Sequence, residues 1–151
     1  FGWDRTQNVL FRIADGELDG LKPKTIVIHI GTNNLAVSKN ARKNTPEEIA
    51  EAIRLVASKA HEKCPGAKII LMAVFPRGEK ADNPFRGEIA KINAALVSGG
   101  VRDLPWLTYL DITPNFLNPD GTMSREVMGD FLHPAEKGYG VWAAALKPHL
   151  Q

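Results

Sequence analysis

The 151-residue sequence contains a single cysteine, no long apolar run and no excess of charge of one sign. Because Cys64 has no partner in the chain, an internal disulfide is excluded, and an oxidising compartment is neither supported nor excluded. The longest apolar run, at 69–75, has seven residues, whereas a membrane-spanning helix needs about 18 or more. The sequence therefore predicts no membrane span.

The sequence lacks the usual signals for binding a nucleic acid, a metal or an organic cofactor. The 19 basic residues nearly balance the 17 acidic ones and are interleaved with them, which does not favour nucleic-acid binding. The chain has no His-Glu-x-x-His pattern and no glycine-rich loop that ends in Lys-Ser or Lys-Thr. We therefore expect no metal and no organic cofactor.

What is present is enough apolar sequence, 44% of residues, for one domain with its own core. Strand-like apolar runs alternate with amphipathic segments of helical length, which predicts an α/β fold. The predicted order is a helix at 6–15, a strand at 25–30, a helix from 46 to the stop at 64–66, a strand at 68–74, a helix through 89–97, a strand at 106–110 and a helix at 134–150.

Local signals place several of these boundaries. Thr6 is a candidate N-cap, and Thr45, followed by a proline and a glutamate at the third position, begins the second helix. The run at 25–30 is β-branched almost throughout, which is typical of a buried parallel strand. Long loops are predicted at 75–85 and 111–131, with one helical turn at 124–128. A parallel sheet with helices on both faces would bind ligands at the carboxyl ends of its strands.

The first strand leads into Gly-Thr-Asn-Asn at 31–34. A glycine permits a sharp turn there, and Asn33 can direct its amide N–H at a ligand on the rim of the sheet. Taken alone, the same four residues are also typical of an ordinary turn.

Asp130 precedes His133 by three residues in the loop after the third strand. In a tight turn this spacing brings the carboxylate to the imidazole Nδ1 and supports the imidazolium that forms when Nε2 takes a proton. The alternative is a helix-entry turn in which Asp130 caps a backbone N–H and Pro134 starts the last helix. His29, by contrast, lies in a strand and is interpreted as a core or sheet-face residue.

Taken together, the motifs at 31–34 and 130–133 make the chain resemble the SGNH, or GDSL-type, hydrolases. The likeness is strongest to the branch with the platelet-activating-factor acetylhydrolase catalytic subunits and related bacterial esterases. It extends over nearly all 151 residues, and it includes the segments 2–12, 16–24, 31–34, 76–80 and 130–133. It implies a flavodoxin-like three-layer α/β/α fold with a parallel sheet, and a short-chain ester as substrate. Dimers are known in this branch, so the resemblance allows a homodimer, which the composition does not require.

The resemblance implies roles for individual residues. His133 would be the general base and acid, Asp130 its orienting partner, and Asn33 a side-chain donor to the oxyanion. Thr32 and Leu132 occupy the positions that shape a small acyl pocket in the family.

The start of the chain departs from the family at the second oxyanion donor. This donor is the backbone N–H of a glycine in the family, whereas the sequence here has Trp3, with Gly2 beside it to supply flexibility. We expect Trp3 to serve if its backbone dihedral angles are ordinary.

The family nucleophile, a serine in Gly-Asp-Ser, has no counterpart in this chain, because the Gly-Asp at 129–130 belongs to the histidine motif. Two explanations compete. Either the chain is the carboxyl-terminal part of a serine esterase whose first strands, with the serine, lie upstream of Phe1, or it is a non-catalytic carbohydrate- or protein-binding domain. We favour the first, since His133, Asp130 and Asn33 are all retained. A flavodoxin-like flavin binder is a weaker third option, because its phosphate loop is missing.

Overall fold

Helices and strands alternate along the chain in the computed structural model, which describes residues 2–150. The elements are α1 (Thr6–Ala14), β1 (Thr25–Ile28), α2 (Pro46–Lys63), β2 (Lys68–Met72), α3 (Pro84–Ser98), β3 (Leu107–Leu110) and α4 (Glu136–Leu146). Short 3₁₀ turns add Thr32–Leu35, Thr113–Phe116 and Lys147–His149. The predicted order of elements is confirmed.

The three strands form a parallel sheet in the order β1-β2-β3. Because side chains alternate along a strand, β2 contributes to a core on each face. Ile69 and Leu71 pack into one core with residues of α1, α2 and α3, whereas Ile70 and Met72 pack into a second core with residues of α4. The predicted three-layer arrangement is therefore present, with the sheet in the middle.

The start of α2 is as predicted from its capping residues, whereas the start of α1 is not. The Thr45 hydroxyl accepts the Glu48 N–H at 3.2 Å, and the Glu48 carboxylate accepts the Thr45 N–H at 3.0 Å, which is the predicted capping box of α2. Thr6, however, is not the N-cap of α1. The cap position is Arg5, and Thr6 is the first helical residue, with its side chain buried against Asn34.

Several boundaries differ from the sequence pattern. β1 ends at Ile28 rather than residue 30, and it is not fully buried, since Val27 is 38% exposed at the edge of the sheet. The single helical turn expected at 124–128 is present, since the Met128 N–H donates to the Ser124 carbonyl at 3.0 Å. Met128 also forms an isolated β-bridge with Pro134, and α4 begins two residues after that proline rather than at it.

Within residues 2–150, β1 pairs with β2 alone, so its outer edge is open. An apolar groove borders this edge on each face of the sheet, and we call the two together the edge grooves. On the α1 face the apolar lining includes Ile13, Leu18, Ile26, Ile28, Val56 and Ala60. On the α4 face the lining is Val27, His29, Tyr139, Trp142, Ala143 and Leu146.

Over the described part of the chain, no helix is both long and apolar enough to cross a membrane.

Candidate active site

The loop after β1 begins with a glycine that no other residue can replace without strain. Gly31 has φ of +122°, and a Cβ at this position would lie 2.9 Å from Cδ1 of Ile53 in α2. The backbone therefore turns directly beneath α2 and enters the 3₁₀ turn Thr32–Leu35. The predicted sharp turn is present, and it fixes the next three side chains relative to the core.

Asn34 is the anchor of this loop, a role that the sequence did not indicate. Its side chain is 1% exposed, and its Oδ1 accepts the backbone N–H of Thr6 at 3.0 Å. Its Nδ2 lies 2.9–3.1 Å from side-chain oxygens of Thr6, Gln7 and Asn44. This network attaches the first residues of the chain to the loop after β1.

Asn33 is oriented by the same arrangement. Its Nδ2 donates a hydrogen bond to the backbone oxygen of Asp4 at 3.0 Å. An amide nitrogen carries two hydrogens, so the second remains available to a ligand at the rim of the sheet.

Asp130 and His133 are in direct contact, as the spacing of three predicted. Oδ2 of Asp130 lies 2.8 Å from Nδ1 of His133, while Oδ1 accepts the backbone N–H groups of His133 at 2.8 Å and Leu132 at 3.0 Å. Hydrogen bonds from the His133 backbone and then from its ring lower the pKa of Asp130 to about 2. The carboxylate is therefore ionised at neutral pH, and it leaves Nε2 of His133 free to exchange a proton.

The turn between these two residues contains an unusual backbone conformation. Phe131 has φ of +61°, a left-handed value that is uncommon for a bulky residue. Its N–H donates to the Met128 carbonyl at 3.0 Å, its carbonyl accepts the Gly78 N–H at 2.8 Å, and Arg125 lies 4.5 Å from its ring centroid. The loop after β2 and the histidine loop are therefore joined by a backbone hydrogen bond.

The start of the chain does not meet the expectation of ordinary dihedral angles. Trp3 has φ of +64°, the region that glycine adopts most easily, and its side chain is 90% exposed. The neighbouring Gly2 is also exposed. Trp3 thus has a backbone conformation typical of glycine while its indole points into solvent.

Thr32 and Leu132 lie half-buried, one in each of the two loops. Arg77 contacts the first of them, since its Nη1 lies 3.5 Å from the Thr32 hydroxyl. The sequence pattern places Arg77 in the 76–80 segment of the family resemblance but gives it no individual role.

The remaining histidines lie outside this arrangement. The Nε2 of His29 accepts the Phe75 N–H at 3.4 Å, and the ring packs against Phe75 and Trp142. Burial lowers its pKa to about 4. The residue is half-buried and lines the edge grooves, so of the two predicted positions it has the one on the sheet face. His61 stacks on Trp106. In residues 2–150 no group of three His, Cys, Asp or Glu side chains is placed to hold a metal ion.

None of the serines in the described part of the chain hydrogen-bonds to His133. Ser38 forms a β-bridge with Ala41, Ser58 lies within α2, and Ser98 ends α3. The Ser124 hydroxyl accepts the backbone N–H of Glu126.

Asn33, Asp130 and His133 thus all lie in loops that follow strands of the parallel sheet. Residues 1–141 match the model of the GDSL-like lipase/acylhydrolase family, and the chain belongs to this family. It is an ester hydrolase family, and the parallel sheet flanked by helices is its fold.

Relatives of known name include subunit alpha2 of platelet-activating factor acetylhydrolase IB. The chicken protein is 40% identical over 147 residues, 97% of this chain and 59% of the relative. The human protein is 40% identical over 138 residues, 91% of this chain and 56% of the relative. The chain therefore spans little more than half the length of these relatives.

Solved structures share the fold at low sequence identity. A GDSL-like lipase from Bacteroides thetaiotaomicron superposes with a TM-score of 0.74 at 21% identity, over 98% of this chain and 71% of that one. An acetyl xylan esterase gives a TM-score of 0.77 at 17% identity, over all of this chain and 78% of that one.

Proposed function

We propose that the protein that contains this chain is a serine esterase that removes a short acyl group, most simply acetyl, from a lipid, carbohydrate or small-molecule ester. The observation that carries the proposal is the 2.8 Å contact between Asp130 and His133, at the same edge of the sheet as Asn33. The family and the names of the relatives support ester hydrolysis in general.

In the proposed reaction, His133 moves a proton in both half-reactions. Its Nε2 takes the proton of a serine hydroxyl as the serine oxygen attacks the ester carbonyl, and it then gives that proton to the departing alcohol as the ester bond breaks. Water next attacks the acyl-serine with His133 again as base, which releases the carboxylic acid and restores the serine. Asp130 holds the ring in the required tautomer through Nδ1.

The negative charge that develops on the carbonyl oxygen needs fixed donors. The second N–H of Asn33 would be one, because Asp4 already fixes the orientation of that amide. We do not assign the backbone N–H of Trp3 as a second donor, because its φ of +64° is not the ordinary value on which that role depends. Thr32 and Leu132 would border a pocket for a small acyl group.

We place the nucleophilic serine in a segment that precedes residue 1. The edge grooves flank the open side of β1, and a further parallel strand there would cover their apolar lining. Since parallel strands end at the same side of a sheet, a serine at the end of that strand would face Asn33 and His133.

The experiment is covalent labelling of the full-length protein with a fluorophosphonate, followed by peptide mapping. Labelling of one serine upstream of residue 1, together with hydrolysis of p-nitrophenyl acetate, is the expected result. As a control, heat-denatured protein should not be labelled. Native protein that is neither labelled nor active would instead identify a non-catalytic binding domain.

A further inference from the structure

Arg77 is a cation beside the candidate acyl pocket, since it contacts Thr32. It follows β2, and its Nη1 lies 3.5 Å from the hydroxyl of Thr32, next to Asn33. The Asp130 carboxylate acts on it electrostatically from the other loop. The guanidinium therefore lies between the two loops that carry the candidate catalytic residues.

The backbone that carries Arg77 is held from two directions. Arg86 in α3 donates hydrogen bonds to the carbonyl of Arg77 at 2.9 Å and to that of Gly78 at 2.8 Å. The N–H of Gly78 in turn donates to Phe131. The backbone at Arg77 is therefore fixed relative to α3 and to the histidine loop.

The charge of Arg77 has no carboxylate at ion-pair distance. The eight ion pairs within residues 2–150 involve other cations, and the guanidinium instead lies 4.1 Å from the ring centroid of Phe85. Partial burial lowers its pKa from the usual value. Most of its N–H groups are therefore available to an external acceptor, in a partly dry setting that strengthens a charged hydrogen bond.

We infer that Arg77 binds an anionic group, a carboxylate or a phosphate, carried by the leaving group of the ester substrate. The planar fork of a guanidinium matches both anions, and the stack on Phe85 holds that fork in place. An acetyl group has no room for a charge, so the anion must belong to the alcohol part of the ester. This inference rests on the proposed esterase function and narrows its substrate class.

The test compares matched esters with the full-length protein. 4-Acetoxybenzoate carries a charge that its methyl ester lacks, and 4-acetoxyphenyl phosphate replaces the carboxylate by a phosphate. We expect Arg77→Gln to lower kcat/KM for at least one anionic ester by about 10- to 100-fold, mainly through KM, as for loss of a charged hydrogen bond. The neutral ester should change by less than about twofold, and Arg77→Lys should recover part of the loss.

Arg102→Gln is the matched control, because Arg102 also lies over an aromatic ring, that of Tyr109 at 5.5 Å, outside the site. It should leave all three rates unchanged. An equal loss on charged and neutral esters in Arg77→Gln would indicate a positioning role, and no loss on any ester would show that the residue is dispensable. Either result overturns the inference.

A second measurement separates this inference from the esterase proposal. Inorganic phosphate is titrated into ¹⁵N-labelled protein, and the amide signals of Thr32 and Gly78 are followed by NMR. Saturable shifts that Arg77→Gln abolishes support anion binding even if no ester is hydrolysed, in which case the esterase proposal fails alone. Absence of shifts in the native protein, together with equal rates on charged and neutral esters, contradicts the inference while leaving the esterase proposal intact.

Discussion

The two loops that carry the candidate catalytic residues are built in different ways. The loop after β1 turns at Gly31 beneath α2, and its anchor Asn34 is 1% exposed. In the histidine loop, by contrast, the side chains of Asp130 and His133 are 59% and 74% exposed and are held mainly by hydrogen bonds within the turn. The first loop is thus part of the core, whereas the second is a local structure on its surface. Substitution of the anchor Asn34 should therefore mainly lower the free energy of unfolding, whereas substitution of His133 should mainly lower kcat.

The largest expected effect is on the exposed loop. His133→Ala in the full-length protein should lower kcat for p-nitrophenyl acetate by about 10⁴-fold, because the proposed general base is lost. The urea midpoint should be nearly unchanged, since the side chain is exposed. The control is His149→Ala, at the end of the chain where the His149 carbonyl accepts Lys68. Full activity of His133→Ala would refute the assignment.

The next effect concerns Asn33, the proposed oxyanion donor in the loop after β1. Asn33→Ala should reduce kcat by about 10²- to 10³-fold, as for loss of one oxyanion donor, with little change in KM. Steady-state kinetics on the same ester measure this. Asn118→Ala, which removes an exposed asparagine bonded to Thr122, is the matched control. A loss confined to KM would argue against an oxyanion role.

Acid should lower the free energy of unfolding first through His29, which lies between β1 and the turn at Gly31. His29 has a pKa of about 4 when folded and about 6.5 when unfolded, so the unfolded state binds the proton more readily. The free energy of unfolding should therefore fall between about pH 6.5 and pH 4, by up to about 3 kcal/mol. Urea titrations at stepped pH measure the fall, and His29→Gln should flatten it.

In the same titrations, Asp130 should affect the free energy of unfolding at lower pH than His29 does. Its pKa is lowered to about 2, so its contribution is present above about pH 4 and is lost only as the pH falls toward 2. Because the carboxylate is largely exposed, this contribution should be small. Asp130→Asn should therefore leave the profile between pH 6.5 and pH 4 unaltered, and a change there would show that the two loops are coupled.

The last substitution, Asn34→Ala, tests the anchor itself. Asn34→Ala should lower the free energy of unfolding by about 2 kcal/mol, because the buried N–H of Thr6 loses its acceptor. Chemical denaturation measures this, with Asn118→Ala expected to stay within about 0.5 kcal/mol of the native protein. A loss of activity without a loss of stability would contradict the anchoring role.

Much of this arrangement could be predicted from local sequence. The capping box at Thr45 and the order of helices and strands depend on neighbouring residues. So does the contact of Asp130 with His133, three positions apart, although its role came from the family resemblance. The glycine at position 31 was expected to turn the chain, and it does.

What could not be predicted depends on contacts between distant segments. β1 ends at Ile28 because its pairing with β2 ends there, opposite Leu71, and no property of the 25–30 run reports that pairing. Asn34 became an anchor because Thr6, 28 positions away, lies beside it. The left-handed backbone of Trp3 likewise has no local sequence signal, since tryptophan disfavours it.

The open edge of β1 has a further consequence, for the rate at which amide protons exchange with solvent. β2 is paired on both sides and its residues 69–72 are almost completely buried, whereas β1 has one partner and an exposed Val27. Exchange should therefore be slowest in β2 and faster in β1, with local opening free energies graded from the centre of the sheet outward. Because Gly31 and Asn33 follow β1 directly, each opening of that strand in the described chain would also displace Asn33, the proposed oxyanion donor. The upstream strand proposed above would pair with this edge, so it should slow amide exchange in β1 and preserve the position of Asn33.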